Sequence, residues 1–377
     1  MTIGRRKFLQ LGTLASASLL IPDFLSSLME KAITSSKKLI VLQLSGGNDG
    51  LTTVIPYRND IYFKSRPSLA IARGHALKLT DEAGLHPSLK GLRDLFNQGY
   101  VSIINSVGYP DPSRSHFRSM DIWHSGSTTG FNTGWIGRHL DEYGGRNGIA
   151  LEMDERVGLA LRGVIKQGLP LYAGCVPHNA QHDATLTSYL SHTEASYAAN
   201  TEYMFNQAKI RRSVTGYPDT QLGKRMKMIS SLIKAGTDTE VYYASLGSFD
   251  THVNQLEHHG QLLSHLDESL SCFVADLKRD HCFNDVLILV FSEFGRRVTE
   301  NKSKGTDHGT ANNIFLVSGV LKRQGILNNL PNLRDLNEGD LKYKVDFRQV
   351  YATILDRWFE GDTRKVLGAQ FPQLDFV

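Results

Sequence analysis

Asp49, Asp250, His252, Glu293, Asp307 and His308 each stand next to a short apolar run of this chain, and carboxylates and imidazoles are the side chains that grip divalent cations. The stretch Lys304-Gly-Thr-Asp-His-Gly-Thr310 lies between the runs VLILVF and IFLVSG. Neighbouring Asp307 and His308 cannot share one face of a strand, so a tight loop must converge them. The flanking Gly305 and Gly309 permit close backbone approach to an ion or substrate; the other reading is an ordinary turn. In Asp250-Thr-His252 an extended backbone puts both side chains on the same side, where they can hold one cation. The competing reading is a helix N-cap by Asp250 or Thr251, because a helical pattern starts at Val253.

Glu293 follows an intensely apolar run, where an unpaired carboxylate is costly, so it binds metal or pairs with Arg296 or Arg297. Asp49 in SGGNDG is either a ligand or a turn residue. Ser115 and His116 in PDPSRSHF mark a helix start. A serine there caps the helix, or uses the positive field of the helix N-terminus to favour an alkoxide or a phosphorylated oxygen. Arg114 or Arg118 offers a planar fork for nonbridging oxygens, and His116 or Glu293 a general base in a single-metal scheme.

These residues need a scaffold. The runs KKLIVLQLSGG, YVSIINSVG, GIALEM, VGLALRG, VYYASLG, DVLILVFS and IFLVSG mostly lack alternation, as strands buried on both faces do. Helical patterns lie between them, including HPSLKGLRDLFNQG, SHFRSMDIWHSG, SYAANTEYMFNQAKIRRS, QLGKRMKMISSLIKAG, the long segment from Val253 to Asp280, and DFRQVYATILDRWF. Strands alternating with helices predict a three-layer α/β/α sandwich with a mainly parallel central sheet. Ligands of such sheets gather beyond the carboxyl ends of the strands, where most of the candidate residues fall. The pattern is read as one domain over 35–377 with a helical insertion near 176–240.

The chain has 377 residues, 41% hydrophobic and 21% charged, which suits a globular protein with a large core. Arg5 and Arg6 precede the run LGTLASASLLI, the pattern of a twin-arginine export signal over residues 1–34. An uncleaved anchor is the alternative, but Gln10, serines and Pro22 interrupt a run too short to span a bilayer. Without Arg5, Arg6, Lys7 and Lys31 against Asp23 and Glu30, the formal charge of +4 falls by two, which gives no electrostatic reason to expect nucleic acid. The predicted location is periplasmic or otherwise extracytoplasmic. Cys175, Cys272 and Cys282 are too few for a disulfide framework. No GxxxxGK or GxGxxG follows the first strand, which leaves nucleotide binding weakly supported.

The order of strand-end motifs resembles the alkaline phosphatase-like superfamily, and the set SGGNDGL, SRSHF, SFDTH, SEFGR and GTDHG resembles an exported bacterial family known as domain of unknown function 1501. The resemblance implies an alkaline phosphatase-like fold and two metal ions around a serine, threonine or modified cysteine nucleophile. It makes Ser115 the nucleophile candidate, Asp49 the first-strand ligand, Asp250 with His252 a holder of the other ion, and Asp307 with His308 the last ligands. Glu293 falls where the superfamily commonly has an aspartate, while Phe294 stands in place of a histidine ligand. Pro110 stands where a sulfatase would carry its modified cysteine.

The implied activity is metal-dependent hydrolysis of small-molecule or polymer phosphate or sulfate esters, with zinc or manganese. The alternative is a catalytically silent cell-envelope binding or assembly protein that keeps the hydrolase fold and meets an envelope protein partner.

Overall fold

The computed structural model describes residues 37–144, 149–171, 206–207 and 216–377. The export signal over 1–34, Cys175, the helical pattern starting at Ser196, and most of the proposed insertion near 176–240 lie outside the described residues. Its described part includes one helix, Gln221–Lys234.

One nine-stranded sheet organises the described chain. Its strands are β1 (Lys38–Leu44), β2 (Val101–Gly108), β3 (Ile149–Glu152), β4 (Leu169–Pro170), β5 (Thr239–Leu246), β6 (Val286–Phe291), β7 (Asn312–Val317), β8 (Gly325–Ile326) and β9 (Val345–Asp346). The order is β8-β2-β7-β6-β1-β5-β3-β4, with β9 also paired to β2. Pairing is parallel except at β7, which runs antiparallel to both β2 and β6. The carboxyl ends of β1, β2, β5 and β6 therefore share one rim, and the residues just before β7 arrive at that same rim.

Both faces of the sheet are covered, which explains the near-continuous apolar runs. Ile40, Leu42 and Leu44 of β1 pack on one side against a layer that includes α3 (Lys90–Asn97), α6 (Gln221–Lys234) and α7 (Gln255–Arg279). Leu39 and Val41 face the other side, toward α4 (His116–Ser125), α5 (Trp135–Tyr143) and α8 (Phe347–Thr353). The shorter helices α1 (Gly50–Thr53) and α2 (Asp60–Ser65) follow β1. On the α4 side Trp123 stacks on Phe291 at 4.7 Å and on Phe347 at 4.4 Å, tying α4 and α8 to β6.

VGLALRG, read as a strand, instead contains a single 3-10 turn at Leu159–Leu161. Its leucines are buried or partly buried at a helix-packed edge rather than in a ladder, and a short apolar run does not distinguish these two outcomes. Among the described residues, Cys272 and Cys282 form no disulfide. Among the described residues no helix is long and apolar enough to cross a membrane.

Candidate metal centre

The rim residues are placed by their strands. β2 leads through Tyr109–Ser115 into α4, so His116 opens the first turn of that helix. β5 leads to Asp250 and His252, β6 to Glu293, and the loop before β7 carries Asp307 and His308. Three backbone bonds tie these loops together: Gln255 N–H donates to Lys304 O, Thr306 N–H to Thr251 O, and Arg297 N–H to Asp307 O.

Glycine makes this closeness feasible. A Cβ on Gly305 would lie 2.2 Å from the His252 carbonyl group, and one on Gly309 2.5 Å from the Arg296 carbonyl carbon. The glycines around Asp307 and His308 thus let two loops touch at the backbone.

Three imidazoles meet at one carboxylate oxygen. Asp250 Oδ1 lies 2.9 Å from His252 Nε2, 3.1 Å from His308 Nε2 and 3.5 Å from His116 Nε2. His308 Nε2 is also 3.1 Å from His116 Nε2 and 3.0 Å from His252 Nε2. The opposite ring nitrogens face acceptors: His116 Nδ1 is 2.8 Å from Glu293 Oε1, His308 Nδ1 2.8 Å from Arg114 O, and His252 Nδ1 3.2 Å from Asp307 Oδ1. A carboxylate or carbonyl partner keeps the proton on Nδ1 and turns the Nε2 lone pair toward the centre, the arrangement that orients metal-ligating histidines. Among the described residues His116, Asp250 and His308 form a group whose ligand atoms all lie within 4.8 Å of one another.

The local field favours a cation. Burial pushes the Asp250 carboxyl up, but the Arg296 guanidinium and the neighbouring imidazoles of His308 and His252 outweigh it and hold the group at about 2. The Glu293 hydrogen bond raises the His116 imidazolium above its usual range. Glu293 is buried and also accepts from Gly46 N–H at 2.9 Å and from the Ser292 hydroxyl at 3.1 Å. Asp307 is lowered, first by the Asn301 amide and then by His252.

The candidate residues therefore take different places. Asp250, His252 and His308 converge, and His116, read as a catalytic residue, joins them through its ring nitrogen. Glu293 and Asp307, read as ligands, grip the outer nitrogens of His116 and His252 instead.

Asp49, also read as a ligand, does not join the group. Its fully buried carboxylate takes hydrogen bonds from Arg66 Nη1 at 2.5 Å, Gln255 Nε2 at 2.5 Å, the Thr52 hydroxyl at 2.7 Å and Leu51 N–H at 3.2 Å. Burial alone pushes its carboxyl up, but Arg66 prevails and holds it far below the carboxylate range. Ser115 is the exposed N-cap residue of α4, and its side chain makes no capping bond. Arg114 contributes its carbonyl to His308, while its guanidinium pairs with Asp340 at 2.5 Å, so its fork is already engaged.

Phe294 fills rather than ligates. Its buried ring lies 4.7 Å from that of His116 and 5.1 Å from that of His308. It also lines a neighbouring cavity of about 470 Å³ with Tyr109, Ser113, Thr310 and Tyr343.

Two residues outside the candidate ligands hold the site in place. Arg296, fully buried, donates to Asp250 Oδ1 at 2.6 Å and to the carbonyls of Gly46, Gly47, Phe249 and Thr306. Gln255, also buried, accepts from the hydroxyls of Thr251 and Thr306 while its amide donates to Asp49. A buried arginine beside a strand-end acid is the available signal, but which acid it meets depends on loops far apart in sequence.

No curated protein matches the chain. Among solved structures, the C-terminal periplasmic domain of EcEptC from Escherichia coli is 11% identical over 90% of this chain and 88% of that one, with a TM-score of 0.40. Ps i-CgsB in complex with k-i-k-neocarrahexaose is 14% identical over 89% of this chain and 72% of that one, TM-score 0.38. The lipoteichoic acid synthase LtaP from Listeria monocytogenes is 12% identical over 82% and 70%, TM-score 0.34. A family match spans residues 105–367, from within β2 to beyond α8, and so takes in every converging residue: the chain belongs to the family described as Protein of unknown function (DUF1501).

Proposed function

We propose that this protein is an exported, metal-dependent hydrolase of phosphate or sulfate esters. The observation that carries the reading is the convergence of the His116, His252 and His308 Nε2 atoms on Asp250 Oδ1, at the rim where parallel strands end. The motif order shared with alkaline phosphatase-like proteins supports the reaction class, and Arg5 with Arg6 supports export.

A divalent ion bound there supplies Lewis acidity toward an ester oxygen. Ser115, at the N-terminus of α4 and next to His116, is the proposed nucleophile, its hydroxyl lying in the positive field of that helix. Glu293 and Asp307 hold the imidazoles in register, and Phe294 shields two of the rings. The adjoining cavity offers room for the organic part of a substrate.

The test is a screen of aryl phosphates, phosphodiesters and aryl sulfates with zinc- or manganese-loaded protein. Turnover that Ser115→Ala abolishes without changing metal content supports the reading. Metal-loaded protein that cleaves none of these esters instead favours a silent envelope binding protein, a second reading to which Phe294, standing where a ligand is expected, lends weight.

A further inference from the structure

The resemblance to alkaline phosphatase-like proteins implies two ions, and the residues here fit only one. His116 Nε2, His308 Nε2 and Asp250 Oδ1 are separated by 3.1, 3.1 and 3.5 Å. Ligand atoms about 2.0–2.1 Å from a tetrahedral ion lie roughly 3.3 Å apart, so this triangle matches one face of such a site. The three side chains are 26%, 25% and 48% exposed, and His252 Nε2, 2.9 Å from Asp250 Oδ1 and 3.0 Å from His308 Nε2, stands beside the fourth position.

At two carboxylates that a second ion could use, Asp250 and Asp49, positive charge is already in place. On the inner side of Asp250, the fully buried Arg296 guanidinium touches Oδ1 at 2.6 Å and faces His252 Nε2 at 3.4 Å. Its remaining donors are spent on four backbone carbonyls, so it cannot swing away. At the end of β1, Asp49 is sealed by Arg66, and both side chains are fully buried. An incoming ion would have to displace a hydrogen-bonded guanidinium at either carboxylate.

We infer that the centre is mononuclear: one divalent ion on His116, Asp250 and His308, with the Arg296 guanidinium as a permanent second cation that shares the Asp250 carboxylate. Arg296 then acts as a fixed positive charge behind the ion rather than as a clamp on substrate, since none of its donors points to solvent. This deepens the metal-dependent reading above and rests on it.

The test is metal stoichiometry of the full chain, freed of metal by chelation and titrated with zinc by calorimetry, with elemental analysis of the reloaded protein. One zinc per chain is expected. Asp49→Asn should retain it, while His116→Ala and His308→Ala should each weaken binding at least about 100-fold with circular dichroism unchanged.

Two zinc ions per chain would overturn the inference, as would loss of the ion in folded Asp49→Asn or wild-type affinity in His116→Ala. If Asp49→Asn does not fold, the wild-type stoichiometry decides alone. Two ions with ester cleavage sink the inference and leave the hydrolase reading standing; one ion without cleavage does the reverse.

Discussion

The Arg296 guanidinium donates to Asp250 Oδ1 at 2.6 Å while supporting the carbonyls of Gly46, Gly47, Phe249 and Thr306. One side chain thus fixes the charge of the centre and the backbone of three rim loops. Arg296→Met strips the partner from buried carbonyls as well as from Asp250, and the expected loss is about 3–5 kcal/mol of stability. Arg296→Lys should rescue little, because an ammonium cannot reproduce the planar fork. Thermal unfolding of the two variants checks this; a lysine variant as stable as wild type contradicts it.

Asp49 and Arg66 form a sealed pair, and a double-mutant cycle should show it. Asp49→Asn and Arg66→Met should each cost about 3–5 kcal/mol, with the double variant well short of their sum. Additive losses in urea unfolding would mean the two side chains act independently.

Gly305 offers a way to perturb the centre without altering a ligand. In Gly305→Ala the new methyl meets the His252 carbonyl group at 2.2 Å, so one of the loops must shift. An expected cost of about 1–3 kcal/mol, with weakened zinc affinity, follows from overpacking a close backbone contact. Calorimetric zinc titration of the variant reads the second effect.

Two buried groups away from the centre set opposite limbs of the pH profile. Burial lowers His124 to about 4, against the pull of Asp121 and Glu293, and its Nε2 meets Gln43 Oε1 and the Tyr243 hydroxyl. Its folded value lies below the ordinary one, so the unfolded chain takes up the proton first. Stability is full above about pH 6.5 and declines as pH falls toward 4. Burial raises Glu152 to about 7, with Asp154 adding to the effect and Gly158 N–H opposing it.

For Glu152 the sign reverses. Stability is full below about pH 4.5 and declines as pH rises through 7. Glu152→Gln should therefore gain on the order of 3 kcal/mol over wild type at pH 8, with most of that advantage gone at pH 5. Urea midpoints at pH 5 and pH 8 test this, and a pH-independent difference would contradict it.

The layers were legible because the central strands are buried on both faces, which leaves runs such as VLILVF without polar interruption. Strand-end position also pointed to Asp250, His252 and His308, since extended geometry and flanking glycines are local properties. The roles of Glu293 and Asp307 were less legible: a carboxylate beside a metal and one that orients its histidine share the same sequence position. Asp49 resembles a ligand in sequence because nothing near it announces Arg66, which reaches it from the C-cap position of α2. In sequence, Arg296 and Arg297 are equally available as partners for Glu293; folding gives Glu293 to His116 and Arg296 to Asp250. VGLALRG misled because two leucines can be buried by one tight turn as well as by a sheet.

The backward course of β7 has a chemical consequence. Six residues of strand span about 20 Å. Had this segment run with its neighbours, the loop bearing His308 would have emerged at the floor of the sheet, that far from Asp250, and no imidazole from it could reach the mouth. A single change of direction in the weave thus lets a residue placed before a strand take part in chemistry otherwise reserved for residues that follow one.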